Sequence, residues 1–108
     1  MLDGVFYGCI SLEKVVLEEG IETIPWNAFA FCDSIKTIVI PESVNKIEPG
    51  AFYACNSMKK IIFKNPKEWY IQFSPNVEMT KVDLTNEKEN AKYLTDSFAT
   101  LKQNRNSN

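Results

Sequence analysis

Apolar positions recur along this chain at an interval too long for a single helix or strand. Phe6, Phe29 and Phe52 lie 23 residues apart, as do Cys9, Cys32 and Cys55, and Ser11, Ser34 and Ser57. Leu12, Ile35 and Met58 keep the same interval, as do Val15, Ile38 and Ile61, and then Leu17, Ile40 and Phe63. Ile21 matches Val44, Ile24 matches Ile47 and Ala28 matches Ala51. So many coincident columns with no insertion between them mark a tandem repeat. A fixed period of roughly 20–29 residues is the signature of a leucine-rich type of solenoid. Each repeat is one coil that cannot bury its own apolar side, so neighbouring coils stack and share a core.

The spacing Leu12-x-x-Val15-x-Leu17 has the L-x-x-L-x-L form of a strand-bearing coil. Its last two positions face the same way because strand side chains alternate with period two. The coil turns at Glu19-Gly20, or at Pro41-Glu42 in the next copy. A second short apolar pair follows, Ile21 with Ile24, then Val44 with Ile47, and an Ala-Phe pair closes the coil. The pattern predicts three strands in one parallel sheet, with rungs about 4.8 Å apart, and Phe6, Phe29 and Phe52 stacked as an aromatic ladder inside.

The expected fold class is an α/β repeat: a short leucine-rich-repeat solenoid with a parallel sheet, closed by a C-terminal capping helix. Residues 1–63 hold the repeats, about two and a half coils. Residues 64–86 are expected to form an irregular terminal coil, entered through the turn signal Asn65-Pro66. Trp69 is read as structural there, and Val82-Asp83-Leu84 as one more strand on the sheet. Residues 87–103 read as the capping helix, because Ala91, Leu94, Phe98 and Leu101 share one helical face. Asn86 can cap it, with Glu89 three residues on. Residues 104–108 are a polar tail, expected to be disordered.

The consensus A-F-x-x-C-x-S-L-x-x-I-x-I-P-x-x-V-x-x-I closely resembles the BspA-type leucine-rich repeats of bacterial surface proteins and some protist parasites. Ala28, Phe29, Cys32, Ser34, Ile35, Ile38, Ile40, Pro41, Val44 and Ile47 carry the match, and Ala51, Phe52, Cys55, Ser57, Met58 and Ile61 repeat it. The resemblance covers roughly residues 5 to 64. It implies adhesion or protein binding, with a host or neighbouring macromolecule as partner, at the cell surface or after secretion. Met1-Leu2-Asp3-Gly4 enters the first repeat with no signal peptide. Either the protein stays in the cytoplasm, as an intracellular scaffold, or the chain is a piece of a longer secreted one; the piece is the expectation, because the chain begins inside a repeat with no cap.

Composition narrows the classes. A net charge of -2 gives no general attraction to nucleic acid or membrane, and no apolar run approaches a membrane span. Charge is uneven, however. Residues 1–33 hold six acids and one Lys, while residues 34–67 hold six Lys and two Glu. An acidic end beside a basic middle orients a partner or a second copy, or is simply the solvated edge of the coils.

Little in the sequence points to catalysis. The column of Cys9, Cys32 and Cys55 is read as packing, with a disulfide across one rung as an alternative. Metal binding by this column is disfavoured, since no His completes a zinc set. The absence of His also removes Cys-His and Ser-His nucleophiles. Glu18 and Glu19 sit at a turn where solvated acids are expected, and with four Gly there is no phosphate-cradling loop. A non-enzyme without cofactor or metal is expected.

Candidate binding residues are those the core does not require. Val16, Val39 and Ile62 fall between inward strand positions and form an outward apolar stripe, flanked by Lys14, Thr37 and Lys60. The stripe is a partner-binding surface, a face covered by the C-terminal segment, or plain β-propensity on exposed strands. Trp26 has Asp3 and Pro49 as its counterparts, so it is either an anchor for a protein contact or packed on a neighbouring turn. Phe31 and the Tyr7–Tyr53 pair are read the same way. A second hypothesis gives the function to the edge of the first coil, where Val5, Phe6, Leu12 and Val15 would pair two copies as a homodimer.

Overall fold

A computed structural model describes residues 6–96 and 98–103. The elements are β1 (Thr23–Ile24), β2 (Thr37–Ile40), β3 (Lys46–Ile47), β4 (Lys60–Phe63), β5 (Trp69–Gln72), β6 (Thr80–Val82), α1 (Glu87–Thr95) and β7 (Thr100–Gln103). They form a two-stranded parallel sheet, β2–β4, and a five-stranded mixed sheet in the order β1-β3-β7-β5-β6. The result, among the described residues, is a leucine-rich-repeat-like fold of mostly strands with one short helix.

The 23-residue period sets the register. Ile38 pairs with Ile61 and Ile40 with Phe63 across β2–β4, and Ile24 pairs with Ile47 across β1–β3. Outside the strands the coils are tied by backbone hydrogen bonds such as Phe6 N to Ala28 O (2.9 Å) and Phe29 N to Ala51 O (2.7 Å). The three phenylalanines stack as the repeat predicts. Phe6 and Phe29 have centroids 5.3 Å apart and planes 4° from parallel; Phe29 and Phe52 are 5.5 Å apart at 8°. The thiols of Cys32 and Cys55 donate to Phe6 O and Phe29 O, both at 2.9 Å, which gives the cysteine column its packing role.

Three expectations need correction. First, the sheet carrying the L-x-x-L-x-L strands has two strands and not three. Residues 12–17 of the first coil form no strand, and Leu12, Val15 and Leu17 are half-buried where Ile35, Ile38 and Ile40 are buried. The motif alone does not make a strand here: the two copies that form one are the two whose inward positions are buried.

Second, the helix stops at Thr95. Asn86 caps it as expected, accepting from Lys88 N and Glu89 N, but Thr100–Gln103 is the strand β7. The helical spacing of Phe98 and Leu101 with Leu94 is therefore coincidental. Leu101 is buried on the inner face of a sheet, and Phe98 is exposed. Third, the segment after the repeats is not irregular. Trp69 and Tyr70 fall 23 residues after Lys46 and Ile47, the place of a third short strand, and they do form β5. But β7 inserts between β3 and β5, antiparallel to both. Thr80–Val82 then pairs with β5 at the edge of this sheet, not on the parallel sheet with β4. The expected tail at 104–108, and Val5, lie outside the described residues.

The last coil is covered by the chain's own return. Asn90, fully buried on α1, donates from Nδ2 to Ile61 O and to Leu84 O, each at 2.8 Å. Gly8 N donates to Ala30 O, Phe31 N to Tyr53 O, and Ala54 N to Thr95 O. The end of α1 therefore offers the acceptor that a further coil would offer. Trp69 is structural: its Nε1 donates to Asn65 O at 2.7 Å and its ring meets Phe63 at 5.1 Å.

Candidate functional site

Two outward faces bear the candidate residues. On the β2–β4 sheet, Val39 lies beside Ile62 and Thr37 beside Lys60 in register, so each pair faces the same way. Val16 is 74% exposed and Val39 is 38% exposed, while Ile62 is half-buried. Lys14, Thr37 and Lys60 are exposed around them. The stripe is thus open at Val39, but Lys14 and Val16 come from the first coil, which has no strand there to fix their direction.

The second face is better formed. Across the five-stranded sheet the inward rung is Ile24–Ile47–Leu101–Ile71, all buried. The adjoining rung therefore points outward, because strand side chains alternate. Its members in register are Thr23, Lys46, Lys102, Tyr70 and Lys81. Beside it, Glu48, Thr100, Gln72 and Met79 line a groove of about 520 Å³ together with Lys46 and Lys102. Trp26, Pro49, Phe73, Pro75 and Phe98 wall the groove.

Trp26, Phe73 and Phe98 are each about half exposed. Trp26 follows β1 after the buried Pro25. Its neighbour Asn27 is held in the left-handed region, φ 54°, with Gly50 in the equivalent place at φ 77°. A β-carbon at Gly50 would run into Asn27 Oδ1 and the Phe98 ring, so that glycine is what lets the groove wall close.

Phe98 also ends an outer aromatic row. Tyr7, Phe31, Tyr53 and Phe98 follow one another with centroids 5.5, 5.7 and 4.3 Å apart. Phe31 sits at φ 62°, in a column with Gly8 at 73° and Ala54 at 60°. A bulky residue at positive φ is uncommon and strained, so the fold carries local strain in a segment that sets an aromatic ring on the surface.

Electrostatics distinguish the two faces further. Lys46 and Lys102 are direct cross-strand neighbours, and like charges so placed repel. Lys46 is 3.7 Å from Glu48, and Lys81 is 3.5 Å from Glu68. Lys102 has no ion pair among the described residues. The two buried cysteines are held protonated: burial pushes the Cys55 thiol up to about 12, and burial also raises Cys32. Such groups stay protonated and inert at neutral pH.

Of the sequence candidates, the structure brings Trp26 into the groove, sets Val39 and Ile62 side by side, and leaves Phe6, Leu12 and Val15 half-buried at the first coil. Val5 lies outside the described residues. Sequence reasoning missed Phe73, Met79, Phe98, Lys46, Lys81 and Lys102. The column holding Thr23 and Lys46, next to the inward Ile24 and Ile47, was a usable signal for Lys46. The others depend on the insertion of β7, which the period does not encode.

A stack of 23-residue coils with an open aromatic groove defines the class: a repeat protein. Residues 2–98 of the 108 match the BspA type leucine rich repeat region (6 copies), and the chain belongs to that family. The match reaches well past the last repeat legible in the sequence, into the terminal segment and helix. The family serves generally as protein-interaction modules and is typically non-catalytic. No curated protein and no solved structure matches the chain. Among the described residues no helix is long and apolar enough to cross a membrane.

Proposed function

We propose that this chain is a non-catalytic adhesion or protein-interaction module, and that the groove at Trp26 is its principal contact. One observation carries the reading: three half-exposed aromatic rings, Trp26, Phe73 and Phe98, converge on one groove beside the five-stranded sheet. Such rings bury much area at little entropic cost and dominate protein contacts. In this reading the coils and the returning helix form a short solenoid, and the stripe of Val16, Val39 and Ile62, flanked by Lys14, Thr37 and Lys60, is a second contact line. By kinship the setting is the cell surface or the secreted space, with a host or neighbouring macromolecule as partner.

Selection of a displayed random-peptide library on the protein tests this. Peptides that bind the wild type and are lost on a folded Trp26→Ala variant support the groove. Binders indifferent to Trp26 but lost on Val39→Glu move the contact to the stripe.

A second reading is self-assembly through the first coil. Phe6, Leu12, Val15, Leu17 and Ile21 are only half-buried and line a cavity of about 550 Å³. Light scattering over a range of concentrations decides it: a dimer that Leu12→Glu dissociates supports this reading, and a monomer throughout removes it.

A further inference from the structure

We infer that the Trp26 groove takes an acidic peptide segment, with carboxylates set on Lys102 and Lys46 and an apolar side chain against Trp26 and Phe98. The inference rests on the reading of this groove as the binding face and names the chemistry of its occupant. The sheet register makes the case. Lys46, Lys102 and Lys81 lie on one outward rung of four adjacent strands, interrupted only by Tyr70. Lys46 and Lys102 are direct neighbours on an antiparallel pair, a placement that costs stability in the free protein. Each of the outer two lysines has one Glu, while Lys102, between them, has no ion pair among the described residues.

A row of cations with an uncompensated centre, beside an apolar groove of about 520 Å³, matches a chain that alternates or flanks apolar anchors with carboxylates. A carboxylate between Lys46 and Lys102 would turn their repulsion into two attractions, a differential gain that a neutral peptide lacks. Nucleic acid is a poorer fit, because a phosphate backbone is held by an extended run of cations, whereas this rung offers three lysines beside a groove walled by apolar side chains.

The probe is the same displayed random-peptide library, followed by fluorescence anisotropy on the best selected peptide. The expected outcome is enrichment of Asp and Glu around an aromatic or aliphatic residue. Lys102→Gln is expected to weaken binding about tenfold and Lys102→Glu more than that, with affinity falling as salt rises. Lys102 is exposed and its replacement relieves the repulsion from Lys46, so both variants should fold, with a thermal midpoint at or slightly above the wild-type one. Enriched peptides that are neutral or basic, or equal binding by Lys102→Glu, would overturn the inference. So would displacement of the peptide by a single-stranded oligonucleotide at equal affinity. If Trp26→Ala abolishes binding while Lys102→Glu does not, the groove stands and the acidic occupant falls. If neither variant changes binding, or no peptide is enriched, the groove itself is not the site.

Discussion

The two ends of the coil stack obey one sequence pattern and reach different structures. At the far end, Cys55, Met58, Ile61 and Phe63 are buried, with α1 packed on β4 and Asn90 bonded to its outer backbone. At the near end, Cys9, Leu12, Val15 and Leu17 occupy the same columns and are half-buried, with no strand over residues 12–17. The lesson is that a repeat motif specifies which side chain points inward, while neighbouring layers decide how far it is buried and whether its backbone forms a ladder. Stability in such arrays is close to a sum of coil and interface terms, so the two ends should differ in measurable ways.

The largest difference should appear in the phenylalanine ladder. Phe52 and Phe6 each stack on Phe29, but Phe52 is fully buried whereas Phe6 is half-buried. Phe52→Ala should cost about 3–5 kcal/mol, as for large buried aromatics. Phe6→Ala should cost about 1–2 kcal/mol, in proportion to its partial burial. Denaturant midpoints measure both, and equal losses would mean that the two ends are equally packed.

The next effect concerns how the far end is covered. Asn90→Leu removes the donor to Ile61 O and Leu84 O, and leaving such buried carbonyls unmet costs about 1–3 kcal/mol. Asn86→Ala, which removes only the helix cap, should cost ~1 kcal/mol. Hydrogen exchange separates them further, since only the Asn90 change should speed exchange at β4 amides. If Asn90→Leu is the milder of the two, the covering helix is held by its apolar face and not by this bridge.

These contrasts also explain what could be read from the sequence. The coils were legible because Phe29, Ile38, Ile47 and their partners repeat at a fixed interval, and periodicity survives without any knowledge of distant contacts. The family and the aromatic ladder followed from the same columns. Trp26 was legible as a residue the core does not ask for. The rest depends on tertiary insertion. The spacing of Leu94, Phe98 and Leu101 fits a helix by count, but Thr100–Gln103 gains more by pairing with both β3 and β5, where Leu101 completes a buried rung with Ile47 and Ile71. Once β7 sits there, Lys102 comes beside Lys46 and Phe98 lines one groove with Trp26, so the groove is a product of that insertion. Asn90 illustrates the same limit: a polar residue inside a short helix reads as a solvated position, yet it is fully buried.

Thiol reactivity gives a smaller and quicker contrast. Cys32 and Cys55 are buried and their titration is pushed upward by burial, to about 12 for Cys55, whereas Cys9 is half-exposed. A thiol reagent near pH 8 should therefore modify one group quickly and two slowly, with Cys9 found by mass mapping as the fast site. Three equal rates would show that the coils open together.

The smallest effect lies in how the first coil is tied to the second. Glu19 of the first turn accepts from Glu42 N at 3.1 Å and Ser43 N at 3.2 Å, and Ser43 Oγ donates to Ile21 O and accepts from Gly20 N. The backbone donor of Glu42, then that of Ser43 and the Lys64 ammonium, hold the Glu19 carboxyl below its ordinary 4.5. A carboxylate whose folded pKa is lowered contributes stability above its unfolded pKa and loses it as pH falls through the folded one. Glu19→Gln should thus be slightly less stable than wild type at neutral pH, and the gap should close once the medium is acidic enough to protonate the folded carboxyl. Because backbone donors outrank the exposed ion pair to Lys64, 3.7 Å away, most of the gap should survive high salt, which screens surface pairs. A gap that vanishes in salt would instead make Lys64 the main tie. A gap unchanged at low pH would mean that the turn does not sense the charge of Glu19 at all.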